Sequence, residues 1–264
     1  MNALKRFVLK SVLPLGRNLI DQINFQRKKS RATPVLVYQM GKVGSTSIYQ
    51  SLLKQYPGAV LHTHRFLQKH KRPQIRSLYR WAVVEKRPLK VISLTRDPIS
   101  RNVSAFFENF ERDIGIPFAE SNFSIEELKT LFLSKDNHEL PLKWFDNNIL
   151  KNFDIDVFAE PFPEGGVSTY SHKNVELLII HLEISDDEKI NAIKSFLSMD
   201  HFEINNMNVG SNKDYSSSYR MFKEKVKLPA TYIDEMCESK YFNHFYSKEE
   251  IDLVRNKWSE RVSR

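Results

Sequence analysis

The run GKVGSTS (41–47) gathers an ammonium group, three hydroxyls and two glycines into one short stretch. Groups of these types, so spaced, suit the holding of an anion. Gly41 and Gly44 let the backbone turn tightly and approach a ligand. The first amides of a helix that starts here are unpaired donors at the positive end of its dipole. Lys42, Ser45, Thr46 and Ser47 add charge and hydroxyl donors. The loop follows VLVYQ (35–39), a β-branched run of strand character, and precedes TSIYQSLLKQY (46–56), whose apolar residues recur at helical spacing. Strand, loop, helix is the context that a phosphate cradle requires. The triphosphate-binding version places Lys directly before the hydroxyl that meets magnesium. Here Gly44 precedes Ser45 and the loop's Lys comes earlier, at Lys42. The one acidic strand-end candidate for a magnesium partner is Asp97, directly after Arg96. An ATP–magnesium site fits this spacing poorly.

A second polar cluster lies in LTRDPISRNVSAFF (94–107). Arg96 leaves the end of a strand, and Ser104 follows about two turns into the next helix. In a doubly wound sheet, ligands collect at the carboxyl ends of the strands. Arg96 and Ser104 could therefore meet a second phosphate beside the first loop, and the guanidinium fork suits bidentate phosphate recognition. Arg101, between them, is a further ligand or a structural ion-pair partner. Asp97 stands before Pro98 and reads as a helix cap. LHTHR (61–65) puts His62 and His64 on one face of an extended strand. A strand that ends at His62 would free His64 into a loop.

KVGSTS and RDPISRNVSAFF, in this order and each after a strand, resemble the two signatures of the 3′-phosphoadenosine-5′-phosphosulfate (PAPS) sulfotransferases. The resemblance implies that Lys42, Gly44, Ser45, Thr46 and Ser47 hold the 5′-phosphosulfate, that Arg96 and Ser104 hold the 3′-phosphate, and that no metal is required. Lys42, beside the bridging oxygen, would offset charge on the departing nucleotide. A hydroxyl acceptor must lose its proton as the new bond forms, which calls for a base. His62 and His64 resemble the His-x-His pair of carbohydrate 2-O-sulfotransferases. His64 is the expected base, with His62 as orienter or acceptor contact. Two structural histidines are the alternative, and Asp146 or Asp97 could serve as carboxylates instead. In the superfamily a late loop covers the nucleotide. MNVGSNKDY (207–215), with Gly210, Ser211 and Lys213, is expected there to meet the 3′-phosphate or adenine; a solvated turn is the other reading. RNKWSE (255–260) resembles the motif of a bacterial capsular polysaccharide synthesis family named for Asn-Lys-Trp-Tyr-Ser, without a Tyr between Trp258 and Ser259.

The elements that must position these groups alternate along the chain. VLVYQ, GAVLHTH (58–64) and LKVISLTRD (89–97) read as strands. TSIYQSLLKQY, FLQKHKRPQIRSLYRWAVVEK (66–86, interrupted at Pro73) and ISRNVSAFFENFER (99–112) read as helices. The order predicts an α/β fold with a P-loop-type parallel β-sheet flanked by helices. Residues 113–174 read as helical insertions plus a loop at PFPEGG. VELLIIHLE (175–183) is a fourth core strand, and SDDEKINAIKSFLSM (185–199) is a helix opened by Ser185. The aromatic-rich C-terminal stretch is helical. Phe106, Phe107, Trp144 and Trp258 are expected in the core. His70, Lys71, Arg72, Arg76 and Arg80 would bind an acidic acceptor or, by default, form a solvated helix face.

The 264 residues divide into a basic amphipathic arm (1–31) and one sulfotransferase-like domain (32–264). A hydrophobic content of 41% supplies a core, and the net charge of +8 suits an anionic partner. Positive charge comes without a recognisable nucleic-acid module. The single cysteine, Cys237, allows no internal disulfide and reads as a half-buried apolar residue. No apolar run is long enough to cross a bilayer. The arm carries no evident cleavage site and is a candidate contact to an anionic membrane surface. The expectation is a cytoplasmic PAPS-dependent enzyme acting on a hydroxyl of a saccharide or glycoconjugate. A P-loop kinase using ATP and a non-catalytic nucleotide- or polyanion-binding protein are the competing readings.

Overall fold

The structure is a computed structural model that describes residues 22–118, 122–205 and 215–259. Five strands form one sheet in the order β2-β1-β3-β5-β4: β1 (Val35–Tyr38), β2 (Val60–Thr63), β3 (Leu89–Thr95), β4 (Val167–His172) and β5 (Val175–His181). β1, β2, β3 and β5 run parallel. The central strands are buried on both faces, so their sequences are continuous apolar runs instead of alternating ones. α1 (Ser45–Gln55) connects β1 to β2. α2 (Pro73–Tyr79), prolonged by a π turn to Val84, leads from β2 to β3, and α3 (Pro98–Glu108) leaves β3. The chain steps from β1 outward to β2 and then back across to β3, so the direction of winding reverses between β1 and β3. The loops after these two strands flank that crevice, where ligands of open α/β sheets bind.

The insertion between β3 and β4 is helical: α4 (Phe110–Ile114), α5 (Ile125–Leu133) and α6 (Leu140–Phe145), continued by a π turn to Leu150 and a last α-helical turn to Phe153. Its Phe132, Trp144 and Phe145 are buried, and the Tyr38 hydroxyl donates to Asn148 Oδ1 at 2.7 Å, tying the insertion to the end of β1. After β5 come α7 (Asp186–Leu197), α8 (Ser216–Lys225), α9 (Ala230–Cys237), α10 (Lys240–Phe245) and α11 (Lys248–Trp258). Phe107 of α3 meets Tyr219 and Phe222 of α8 at ring separations of 5.3 and 5.4 Å, which seats α8 on α3. Trp258 is fully buried, and its carbonyl accepts from Leu228 N–H at 3.0 Å, anchoring the end of α11. Cys237 is buried too, and burial pushes its thiol up to about 11. Before β1, residues 22–28 are helical; Phe25 joins the core and Gln22 Nε2 donates to Ser77 Oγ at 2.8 Å. Among the described residues no helix is long and apolar enough to cross a membrane.

Two features differ from the sequence reading. The sheet is mixed, because Val167–His172 adds an antiparallel strand at its edge through a turn in which Lys173 takes φ 54°. That strand is polar (VSTYSH) and at most half-buried, so it has no apolar run to reveal it. Pro73 starts α2 at its first position and does not interrupt a longer helix. Proline lacks only an amide that would be unpaired there, and its φ is already helical.

Candidate active site

The first loop is shaped by two left-handed residues. Gly44 has φ 76°, and a Cβ there would lie 2.4 Å from Leu182 Cδ1. Lys42 has φ 74° although it is not a glycine, a conformation that costs an L-residue about 1–2 kcal/mol. Val43, between them, is fully buried and holds the turn down. α1 then begins with no side-chain cap and no acidic residue in its first turn. By contrast, α5, α7 and α11 open with serine capping boxes. The leading amides of α1 thus stay available to a ligand. Ser45 is buried, Ser47 half-buried and Thr46 exposed. Lys42 Nζ lies 3.2 Å from Glu108 Oε2, which also accepts from the Tyr215 hydroxyl.

Two arginines grip the loop's backbone. Arg96 Nη1 donates to the Lys42 carbonyl at 2.9 Å, and Arg101 Nε donates to the Gly41 carbonyl at 3.0 Å. Arg101 is 6% exposed, and burial lowers its guanidinium to about 10. It also donates to Asn102 Oδ1, so among the described residues it acts as a clamp on the loop and not as half of an ion pair. Asp97 caps α3, accepting from Ser100 N–H at 2.7 Å.

Arg96 and Ser104 share a neighbour that sequence reasoning missed. The Tyr219 hydroxyl, from α8, lies near both. Burial alone would raise its pKa, but Arg96, Lys223 and Ser104 outweigh burial and hold it below the ordinary range. Lys257 of α11 adds a further charge. Partial burial, together with Lys223 and Arg96, lowers its ammonium, with Asp97 and Tyr219 opposing. Arg96 and Lys223 thus act on Lys257 by like-charge repulsion, which a bound anion would relieve. Tyr219 and Lys223 carry no local signal, whereas Lys257 sits inside the Asn256-Lys257-Trp258 run, whose Trp was read as core.

The histidines lie on the other side of the loop. β2 ends at Thr63, so His64 stands just beyond it, exposed. Its Nδ1 is 2.9 Å from the Gln39 carbonyl. A carbonyl only accepts, so Nδ1 carries the proton and Nε2 keeps a lone pair. That Nε2 is 3.7 Å from where a Cβ on Gly41 would sit, directly over the loop. His62 is different. The fully buried Gln39 amide nitrogen lies 2.9 Å from His62 Nε2 and also meets Ser45 Oγ. Burial, then His64 and Arg72, push His62 down to about 4, so it is neutral at neutral pH. The two rings stand edge to face, 4.9 Å apart. Gln39 thus joins both histidines to Ser45; its only mark in the sequence is a polar residue closing an apolar strand.

The basic segment is not a simple solvated face. Arg72 Nη1 donates to the His62 carbonyl at 2.8 Å, and Arg76 Nη1 to the His70 and Lys71 carbonyls at 2.8 and 3.1 Å. Phe106, Phe107 and Trp144 are buried, as expected of core residues. Asp146 lies in the π turn after α6. Gly210, Ser211 and Lys213 lie outside the described residues. Among the described residues, no group of three or more His, Cys, Asp or Glu side chains is placed to hold a metal ion.

A family model described as "Putative capsular polysaccharide synthesis protein", with the NKWYS name, matches residues 113–247, about half of the chain. The match begins after α3 and ends before Asn256-Lys257-Trp258. No curated protein and no solved structure matches.

Proposed function

The chain belongs to this capsular polysaccharide synthesis family, and from that premise we propose that it is a PAPS-dependent sulfotransferase acting on a hydroxyl of a saccharide or glycoconjugate. The observation that carries the reading is the bond from Arg96 Nη1 to the Lys42 carbonyl. It draws together two sequence motifs about fifty residues apart, as a single anion site requires.

PAPS would supply the activated sulfuryl group. The residues divide the remaining work. Lys42, Gly44, Ser45, Thr46 and Ser47 present charge, amides and hydroxyls to the 5′-phosphosulfate. Arg96 and Ser104, with Tyr219, Lys223 and Lys257, take the 3′-phosphate. Lys42 offsets charge that develops on the leaving side. His64 Nε2, facing the loop at Gly41, receives the acceptor's proton. Its Nδ1–H on the Gln39 carbonyl fixes tautomer and ring orientation. His62 is kept neutral and held by Gln39, which suits it to positioning Ser45 and His64. Lys213 remains a proposed nucleotide contact. The protein is proposed to work in the cytoplasm, with residues 1–31 as an arm able to meet an anionic membrane.

A kinase reading is weaker. Asp97, the acidic residue a magnesium site would enlist, already caps α3, and no Lys precedes Ser45. The test is product formation from PAPS across a panel of bacterial polysaccharides. Sulfated product that disappears with His64→Ala, while nucleotide binding is kept, supports the proposal. No product with any acceptor, together with no bisphosphate binding, would refute it and favour a non-catalytic role.

A further inference from the structure

Outside the loop and the cationic cluster, a groove of about 510 Å³ runs along the free edge of β2. It lies between helix 22–28, α1 and the start of α2, and such a size suits a small ligand. Two cations line it, Lys28 and Arg72, with the carboxamides of Asn24, Gln50 and Gln74 and the ring of Tyr49. Among the described residues of its lining none is acidic. A short chain of contacts leads from the groove to the proposed reaction site, whose histidines do not line it. The Tyr49 ring lies 5.2 Å from the His62 ring, His62 lies 4.9 Å from His64, and Arg72 holds the His62 carbonyl.

The lining specifies an occupant. Lys28 and Arg72 ask for negative charge, the carboxamides of Asn24 and Gln50 ask for hydroxyl partners, and Tyr49 offers a flat wall. Residues 1–21 contain Lys5, Arg6, Lys10 and Arg17 against Asp21 alone, so the chain's own arm matches this positive groove poorly in charge. We propose that the groove is an outer acceptor subsite. It holds a negatively charged, hydroxyl-rich saccharide unit next to the one whose hydroxyl is presented to His64. The assignment rests on the sulfotransferase reading for its role but not for its chemistry.

The test titrates the full chain with a heparosan hexasaccharide, which alternates glucuronate and N-acetylglucosamine, and with neutral maltohexaose. Calorimetry follows wild type, Lys28→Glu and Gln50→Leu, with adenosine 3′,5′-bisphosphate titrated separately. The acidic hexasaccharide should bind and the neutral one should not. Lys28→Glu should weaken binding at least about tenfold. Gln50→Leu should weaken it too with little change in Tm, because a polar contact of the lining is gone. Bisphosphate affinity should be unchanged in both variants. Equal binding of the two sugars, no binding of the acidic one, or wild-type affinity in both variants overturns the subsite. Loss of bisphosphate binding in wild type would instead overturn the cofactor reading and leave the groove result standing.

Discussion

Gly44→Ala separates two costs that the loop imposes. The first is backbone: at φ 76° an alanine gives up about 1–2 kcal/mol relative to glycine. The second is steric, because the new Cβ would sit 2.4 Å from Leu182 Cδ1. Leu182 is half-buried at the end of β5 and its amide is held by the Thr95 carbonyl at 3.0 Å, so its side chain must move while its backbone stays. Overpacking of this kind costs about 1–3 kcal/mol. The sum, about 2–5 kcal/mol, is a large part of a typical domain's stability of about 5–15 kcal/mol. In a Leu182→Ala background the clash is gone and only the backbone cost remains. Urea unfolding of wild type, both single variants and the double variant should therefore give a coupling of about 1–3 kcal/mol. The same Gly44→Ala cost in both backgrounds, within about 0.5 kcal/mol, would refute the steric reasoning. A total cost under that limit would refute the claim that only glycine fits.

Three further outcomes are expected. Burial holds His62 and His181 near 4 in the folded chain, against an ordinary 6.5. Neither penalises folding above pH 6.5; as pH falls from 6.5 towards 4 the unfolded chain takes the protons first, and each histidine removes about 1.4 kcal/mol per pH unit. Urea unfolding between pH 7 and 4.5 should show this slope, and His62→Gln should reduce it; an unchanged slope contradicts the assignment. Tyr219→Phe keeps the ring on Phe107 and loses the hydroxyl near Arg96 and Ser104, so bisphosphate affinity should drop about 5- to 30-fold with little change in Tm. Glu108→Gln removes a carboxylate 3.2 Å from Lys42 Nζ. Its partly exposed ion pair adds at most about 1 kcal/mol of stability, so Tm should hardly move while bisphosphate binds more tightly; weaker binding would show that Glu108 supports the site.

The parts of the site that were legible in the sequence are the local ones. A loop between a strand and a helix announces itself by glycines and hydroxyls, and Arg96 and Ser104 lie within one strand-to-helix segment. Asp97 was readable as a cap because Pro98 follows it. Parallel strands showed as apolar runs because both of their faces are covered. What escaped depends on distant pairing. β4 is polar and exists because β5 offers it an edge. Tyr219 and Lys223 act on Arg96 from a helix more than a hundred residues later, and nothing in their own neighbourhoods marks them; Lys257 sits in the Asn-Lys-Trp run, but no local pattern links that run to Arg96. Gln39 looked like the end of a strand, yet its carbonyl and its amide serve two different histidines. Arg72 and Arg76 looked like surface charge, yet Arg72 holds the His62 carbonyl of β2 and Arg76 the His70 and Lys71 carbonyls just before α2.

The central claim is that the loop at Lys42 and the cluster at Arg96 form one site for a nucleotide carrying phosphates at both ends of its ribose. Calorimetric titration with adenosine 3′,5′-bisphosphate, without metal, against ATP with magnesium tests it most directly. Wild type should bind the bisphosphate more tightly than ATP–magnesium, and Arg96→Ala, which removes both the loop clamp and the phosphate fork, should lose that binding. Preference for ATP–magnesium, or bisphosphate binding that survives Arg96→Ala, would contradict the account.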